Sequence, residues 1–252
     1  MRYYGFAARD HLVLQNITLD KDKSFLEIGV GAGSVVELIA GKVKEIYGVD
    51  ISAELIALLD SIHKGNGCVK MRCLDACGNA SLGKKFDVIY SADTVEHVEK
   101  AEGFFNFIAR HLSANGTAIV TFPNESEEKH HGVTWFGRKK NILELIDGAG
   151  MGIIDFYEVR PTVWHGTIRR WLWDFPRSLI FRGDKKYRPQ SFEQTAAFQI
   201  FKNEKSLKAK ILACYAKTIT EIAALLPLYD YFEVGEEIGD KTLFLRLKRK
   251  SC

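Results

Sequence analysis

The sequence predicts an α/β fold: a doubly wound, mostly parallel sheet of seven strands, Rossmann-like, with a helical insertion between the last two. Three observations predict it. Short apolar runs alternate with amphipathic stretches through the first 160 residues. The first run ends in a glycine-rich loop that opens a helix. Beyond residue 160 the pattern changes to tryptophans and arginines at helical spacing. Strands separated by helices pair in parallel through right-handed crossovers, which leaves helices on both faces.

The elements follow in order. Ser24–Ile28 is a short apolar run that ends in glycines, which suits a buried strand. Ser34–Ala40 reads as a helix with Val35, Leu38 and Ile39 on one face. Glu45–Asp50 is the second strand, and Ser52 is placed to cap the helix Ala53–His63 with its hydroxyl. Val69–Leu74 and Phe86–Ser91 are the third and fourth strands. The helix Glu102–Leu112 is closed by Ser113-Ala114-Asn115-Gly116, a turn signal, before the fifth strand Thr117–Phe122, which Pro123 stops. A helix over Asn141–Ala149 and a strand over Gly152–Val159 complete the first 160 residues. The last strand is Thr242–Leu247, with Leu243, Leu245 and Leu247 on one face. It is expected to pair antiparallel with Gly152–Val159 at the sheet edge. The expected organisation is therefore a core over 1–160, an insertion over 161–236 and a returning strand within 237–252.

Composition narrows the function classes. Hydrophobic residues make up 46% of the 252, enough for an ordinary packed core and too many for a disordered chain. A net charge of +3 is mild, so charge alone implies neither a nucleic-acid nor a membrane partner. Cys68, Cys73, Cys77, Cys214 and Cys252 are odd in number and irregularly spaced, which fits neither a disulfide framework nor a zinc site. Reduced thiols and a cytoplasmic protein are the expectation. No apolar run reaches the roughly 18–20 residues that span a bilayer.

The glycine loop carries the first functional signal. In Glu27-Ile28-Gly29-Val30-Gly31-Ala32-Gly33, glycines permit unusual backbone angles and close approach of a ligand to the main chain. The helix beyond offers free N–H groups to an anion. A dinucleotide loop needs G-x-G-x-x-G/A, and Ser34 at the sixth position breaks that pattern. The spacing is E-x-G-x-G-x-G instead. Asp50 ends the second strand, where a carboxylate can accept from two ribose hydroxyls, with Ile51 next in line. Asp75 and Ala76 follow the third strand. Phe86-Asp87-Val88 opens the fourth strand, and Ser91, Ala92, Asp93, Glu96 and His97 close it.

In this order, over roughly Ser24 to Val159, these motifs resemble the class I methyltransferases that use S-adenosylmethionine (SAM). The Glu-His loop is similar to the quinone, small-molecule and glycan O-methyltransferase subgroup. The resemblance implies that SAM is the cofactor. It implies that Glu27 holds the methionine ammonium, and that Gly29, Val30, Gly31 and Gly33 form the loop. Asp50 and Ile51 would take the ribose and Asp75 and Ala76 the adenine, with Ser91 and Ala92 beside the sulfonium. His97, with Glu96, would face the transferred methyl; an imidazole titrates near neutrality and is suited to taking a hydroxyl proton. His131 and Trp135 are candidates for substrate contact, and Tyr4 and Arg9 for closing over the methionine end.

The implied acceptor is an oxygen of a small molecule, a glycan or a lipid-linked compound. An alternative comes from a second resemblance: Asp93-x-x-Glu96-His97, with His130 or His131, is similar to the E-x-x-E-H metal pattern of RNA-end 2′-O-methyltransferases, which implies a divalent-metal RNA 2′-O-methyltransferase. An alternative of another class is a SAM-binding regulatory or scaffold protein without catalysis. Oligomeric state is left open.

The insertion is read by its composition. Trp164, Ile168, Trp171, Leu172, Phe175 and Leu179 recur at helical spacing among Arg169, Arg170, Arg177 and Arg182. Pro176 should break that helix. A second amphipathic helix carries Leu207, Ile211, Tyr215, Ile222 and Leu226, and Pro227 ends it. A cap over the substrate pocket is the first expectation for 161–236, and a peripheral membrane contact through 161–190 the second.

Overall fold

The computed structural model describes Leu12 and residues 15–124, 136–176 and 207–250. Its strands are β1 (Ser24–Ile28), β2 (Glu45–Asp50), β3 (Val69–Cys73), β4 (Phe86–Ala92), β5 (Leu112–Asn124), β6 (Met151–Pro161), β7 (Tyr229–Glu233) and β8 (Lys241–Arg249). Its helices are α1 (Ser34–Ile39), α2 (Ala53–Ile62), α3 (Ala101–His111), α4 (Lys139–Gly148), α5 (Val163–Ile168) and α6 (Leu207–Ala223). A 3₁₀ turn covers Val95–His97, and a π-helical segment, Arg169–Asp174, continues α5.

The strands form one mixed sheet in the order β3-β2-β1-β4-β5-β8-β6-β7. The sheet has eight strands, not seven. β7 is the strand that periodicity missed; four of its five residues are exposed, so it has no apolar alternation to reveal it. Strands β1 to β5 pair in parallel, whereas β8 runs antiparallel to both β5 and β6. The antiparallel pair foreseen at the edge thus lies inside the sheet, and β7 takes the edge.

The fifth strand also differs. Leu112 pairs with Phe86 and Thr117 with Val88, so Ser113–Gly116 bulges opposite a single residue instead of forming a separate turn. Two contacts explain the bulge. The Ser113 hydroxyl donates to Asp87 at 3.3 Å, and a Cβ on Gly116 would stand 2.9 Å from the Phe86 carbonyl oxygen. Asp87 also accepts the Ser24 N–H at 2.9 Å and the Ser24 hydroxyl at 2.8 Å. It thereby ties the starts of β1, β4 and β5 together. Burial opposes the charge on Asp87, but the Ser24 N–H and hydroxyl and the Ser113 hydroxyl hold its carboxyl below the ordinary value.

The chain divides into two compact units. One comprises Leu19–Gly31, Ile39–Arg160 and Tyr231–Cys252. Its core packs the sheet against α3 and α4 through Phe104, Phe105, Phe107, Ile108, Ile142 and Ile146, all buried. Leu243, Leu245 and Leu247 are buried on one face of β8 and Phe244 on the other, as suits a strand inside the sheet. The other unit contains α5, its π-helical continuation and α6, which share a small core of Ile168, Ile219, Ala223 and Leu228.

Local signals held well. The Ser52 hydroxyl accepts the Leu55 N–H at 3.3 Å and caps α2. One buried histidine was not foreseen. His111 at the end of α3 accepts the Leu82 N–H at Nε2, 3.0 Å, which leaves its Nδ1–H to donate to the Phe107 carbonyl at 2.8 Å. Burial pushes its pKa down, and the nearby Arg110 and Lys85 add to the effect.

The linkage sign follows. Unfolded, the imidazole takes up a proton below about pH 6.5, while the folded one resists it. Its contribution is therefore complete above that pH and is lost as pH falls toward the depressed folded value. Urea midpoints of the wild type should drop between pH 7.5 and pH 5.5, by at most about 1.4 kcal/mol per pH unit for this one proton. His111→Gln should remove that part of the slope. An unchanged slope in the variant would show that other groups set it.

Candidate functional site

A cavity of about 790 Å³ opens at the C-terminal ends of the central strands. That volume is in the range of small-molecule sites, roughly 300–1,000 Å³. It sits where β1 lies between β2 and β4, the point at which strand order reverses and α/β sheets bind ligands. Each strand end contributes. Gly29 and Gly31 line it from the loop after β1, and Asp50 and Ile51 from β2. Asp75, Ala76 and Cys77 line it after β3, and Asp93, Thr94, His97 and Lys100 after β4.

The glycine loop is held by backbone bonds and one carboxylate. Gly29, Gly31 and Gly33 have φ of 75°, 50° and 76°, angles that favour glycine. The N–H groups of Gly29 and Val30 both donate to the Val49 carbonyl, at 2.8 and 3.1 Å. Asp50 accepts the Gly31 N–H at 3.0 Å on one oxygen and the Ser52 N–H at 2.9 Å on the other. A carboxylate has about four acceptor sites, so Asp50 keeps capacity for a ligand. A Cβ built on Gly31 meets nothing within 4 Å, so a ligand can approach the main chain there.

The loop after β4 is seated on the glycine loop. The Thr94 hydroxyl lies within hydrogen-bond reach of the Ile28 carbonyl at 3.3 Å and the Ala92 carbonyl at 3.1 Å. Ser91 donates to the same Ile28 carbonyl at 2.8 Å. A Cβ on Gly29 would stand 2.1 Å from Thr94 Oγ1, so the two loops meet only because residue 29 is glycine. Asp93 turns the chain with φ of 45°, a left-handed angle that Asp tolerates better than most residues. His97 follows, its side chain half exposed and its Nε2 3.8 Å from Glu96 Oε1. Glu96 itself is buried.

On the β3 side, Asp75 accepts the Cys77 N–H at 2.8 Å. Burial and then the Asp75 charge push the Cys77 thiol up to about 11, so it lines the cavity as a neutral thiol and not as a nucleophile. A Cβ on Gly103 of α3 would stand 2.2 Å from the Cys77 carbonyl oxygen; glycine lets the helix seat this loop.

Of the residues singled out from sequence, Gly29, Gly31, Asp50, Ile51, Asp75, Ala76, Asp93 and His97 line this cavity. Glu27, Val30 and Ser91 are buried beside it in the chain and do not line it; neither do Ala92 and Glu96. Gly33 opens α1 beyond the lining residues. His130, His131, Trp135, Tyr4 and Arg9 lie outside the described residues. Among the described residues no three His, Cys, Asp or Glu side chains converge on a metal-ligand arrangement, and Asp93, Glu96 and His97 are no exception. Sequence reasoning passed over Thr94, Cys77, Lys100 and Gly103. Only Gly103 left a signal, as a lone glycine inside an amphipathic helix.

A family model described as a methyltransferase domain matches residues 1–194. The chain belongs to this methyltransferase family. Two curated relatives are similar over part of it. Phosphoethanolamine N-methyltransferase 2 of Caenorhabditis elegans is 26% identical over 136 residues, 50% of this chain and 31% of that protein. A ubiquinone biosynthesis O-methyltransferase of Rhizobium johnstonii is 30% identical over 102 residues, 40% of this chain and 41% of that protein. The matched stretches thus span less than half of either relative.

Among solved structures, Haemonchus contortus phosphoethanolamine N-methyltransferase 2 in complex with SAM aligns with a TM-score of 0.57 at 18% identity. The alignment covers 96% of this chain and 52% of that one. The methyltransferase domain therefore has the class I fold, and SAM is the ligand of that neighbour. The residues present fit that ligand chemically: an open backbone at Gly31, and carboxylates at the ends of β2 and β3.

The Gly29–Thr94 contact makes a stability prediction. Gly29→Ala should cost about 3 kcal/mol, since φ is left-handed and the new methyl meets Thr94. Gly31→Ala meets only open space and should cost about 1 kcal/mol. Thr94→Ala in the Gly29→Ala background should recover part of the loss, and urea unfolding of the four proteins measures the coupling. Additive effects would mean that the two residues do not press on each other.

Proposed function

We propose that the methyltransferase domain binds SAM in the β1–β4 cavity and transfers its methyl group to an oxygen of a small or lipid-linked acceptor. The observation that carries this reading is the run of lining residues along the strand ends. Asp50 and Ile51 are assigned to the ribose and its side of the adenine, and Asp75 with Ala76 to the adenine amino edge. Gly29 and Gly31 are assigned to the methionine end, and Glu27, two residues before the loop's first glycine, to its ammonium.

SAM supplies a methyl already activated on a sulfonium. What the chain must add is positioning, exclusion of water and a route for the acceptor's proton. Thr94 and Asp93 hold the acceptor-side loop against the donor-side loop. The His97 imidazole takes the acceptor proton as the new O–CH₃ bond forms and the S–CH₃ bond breaks. Glu96 behind it steadies the resulting imidazolium. The names of the relatives support a small acceptor: one methylates in ubiquinone biosynthesis, the other is named for phosphoethanolamine.

Two measurements test the reading. Calorimetry should give SAM binding that Asp50→Ala weakens at least about tenfold, as expected for losing hydrogen bonds to a charged group. Unchanged affinity would remove Asp50 from the site. A screen with methyl-labelled SAM, over phenolic, hydroxyl and amine acceptors, should find label on oxygen. With that acceptor, His97→Ala should lower kcat about 10²-fold or more while SAM affinity stays within about twofold. Full turnover in the variant would discard His97 as the base; label on an amine alone would discard the oxygen acceptor.

A further inference from the structure

The unit that holds α5 and α6 carries an aromatic and basic surface outside the residues that line the cavity. Trp164, Trp171 and Phe175 are 51%, 58% and 52% exposed along α5 and its π-helical continuation, with Val163 and Leu172 beside them. Arg169 and Arg170 are exposed within the same two turns, and the Arg170 guanidinium lies 5.8 Å from the Trp171 ring centre. α6 adds a second strip. Its Tyr215 hydroxyl donates to the Leu172 carbonyl, which fixes the two helices together. Ile219 and Ala223 turn inward, but Leu207, Ile211 and Ile222 stay outside at 71%, 55% and 49% exposure. At about 100° per residue these three fall within a ~60° arc beside the buried one. The apolar arc of α6 is thus wider than its core contact.

We propose that this face docks the protein on an anionic membrane surface. Charge selects the occupant. Over the described residues 161–176 and 207–223 there are five Lys or Arg against Asp174 and Glu221. Indole rings partition to the headgroup level, and each nearby cationic side chain adds attraction to anionic lipid. A second copy of the chain is a poorer occupant, because a two-fold contact would bring Arg169 and Arg170 against their own copies. RNA is poorer too. It would use the indoles and guanidinium groups but leaves no role for exposed Val163, Leu172, Leu207 and Ile211, which have no face on which bases stack. No helix among the described residues is long and apolar enough to cross a bilayer, so the contact is peripheral. The docking stands independently of which acceptor is methylated.

Vesicle sedimentation with the full chain tests this. Binding to phosphatidylcholine vesicles that contain phosphatidylglycerol should be at least about tenfold tighter than to phosphatidylcholine alone, and should weaken with salt. Arg169→Glu with Arg170→Glu should remove that preference. Trp164→Ala with Trp171→Ala should lower binding at unchanged charge, and wild-type tryptophan emission should shift to the blue on vesicles. Circular-dichroism melts of both variants should match the wild type. Three results would overturn the proposal: no lipid preference in the wild type, binding that survives both double substitutions, or a concentration-dependent dimer that the tryptophan substitutions abolish in a protein that binds no vesicles. Binding to single-stranded RNA with a steep salt slope, in a protein that ignores vesicles, would assign the face to nucleic acid instead.

Discussion

The Thr94 side chain can rest on the glycine loop only where residue 29 has no Cβ. That contact lies at the point where strand order reverses, between β1 and β4. One side of it is the glycine loop, closed by the Val49 carbonyl and the Asp50 carboxylate. The other side is the turn Asp93–His97, held by the Ser91 and Thr94 hydroxyls on the Ile28 carbonyl. The cavity walls are therefore joined by hydrogen bonds to one backbone carbonyl, and the distance between them is set by the sheet. A reaction that depends on aligning two reactants gains most from walls that cannot drift.

The central parallel strands β1, β4 and β5 were legible because they are buried on both faces. Such strands read as continuous apolar runs, and Phe25, Leu26, Ile28, Ile89 and Val120 all lie in the core. The same reason hid β7. An edge strand with Tyr231 and Phe232 exposed has no buried face to mark it. The segment Ser113–Gly116 is a third case. Its composition signals a turn, and the chain does deviate there, but the Asp87 and Phe86 contacts absorb the deviation as a bulge within one strand. Local composition fixed that the chain bends, and tertiary contacts fixed how.

The site divides in the same way. Asp50 and Asp75 were legible because each stands in order with the glycine loop, one at the end of β2 and the other two residues beyond β3. Thr94 and Lys100 were not, because what brings them to the cavity is a left-handed Asp93 and a 3₁₀ turn, neither of which has a periodic signature. Cys77 and Gly103 depend on each other across different elements. Their relation cannot be read from either segment alone.

On the proposed function the donor and acceptor sides are built from different materials, which bears on how acceptors diverge. The donor side consists of backbone angles, N–H groups and two carboxylates that also hold neighbouring N–H groups in place. Substitution there disturbs the loop as well as the ligand. The acceptor side is one short turn, with His97, Glu99 and Lys100 presented from it. Their side chains bear on no strand pairing, so they can change without cost to the sheet. Relatives named for a quinone pathway and for phosphoethanolamine match this chain over stretches of 102 and 136 residues, well short of their full lengths. Acceptor choice then rests on the turn after β4 and on whatever surface delivers the acceptor to it.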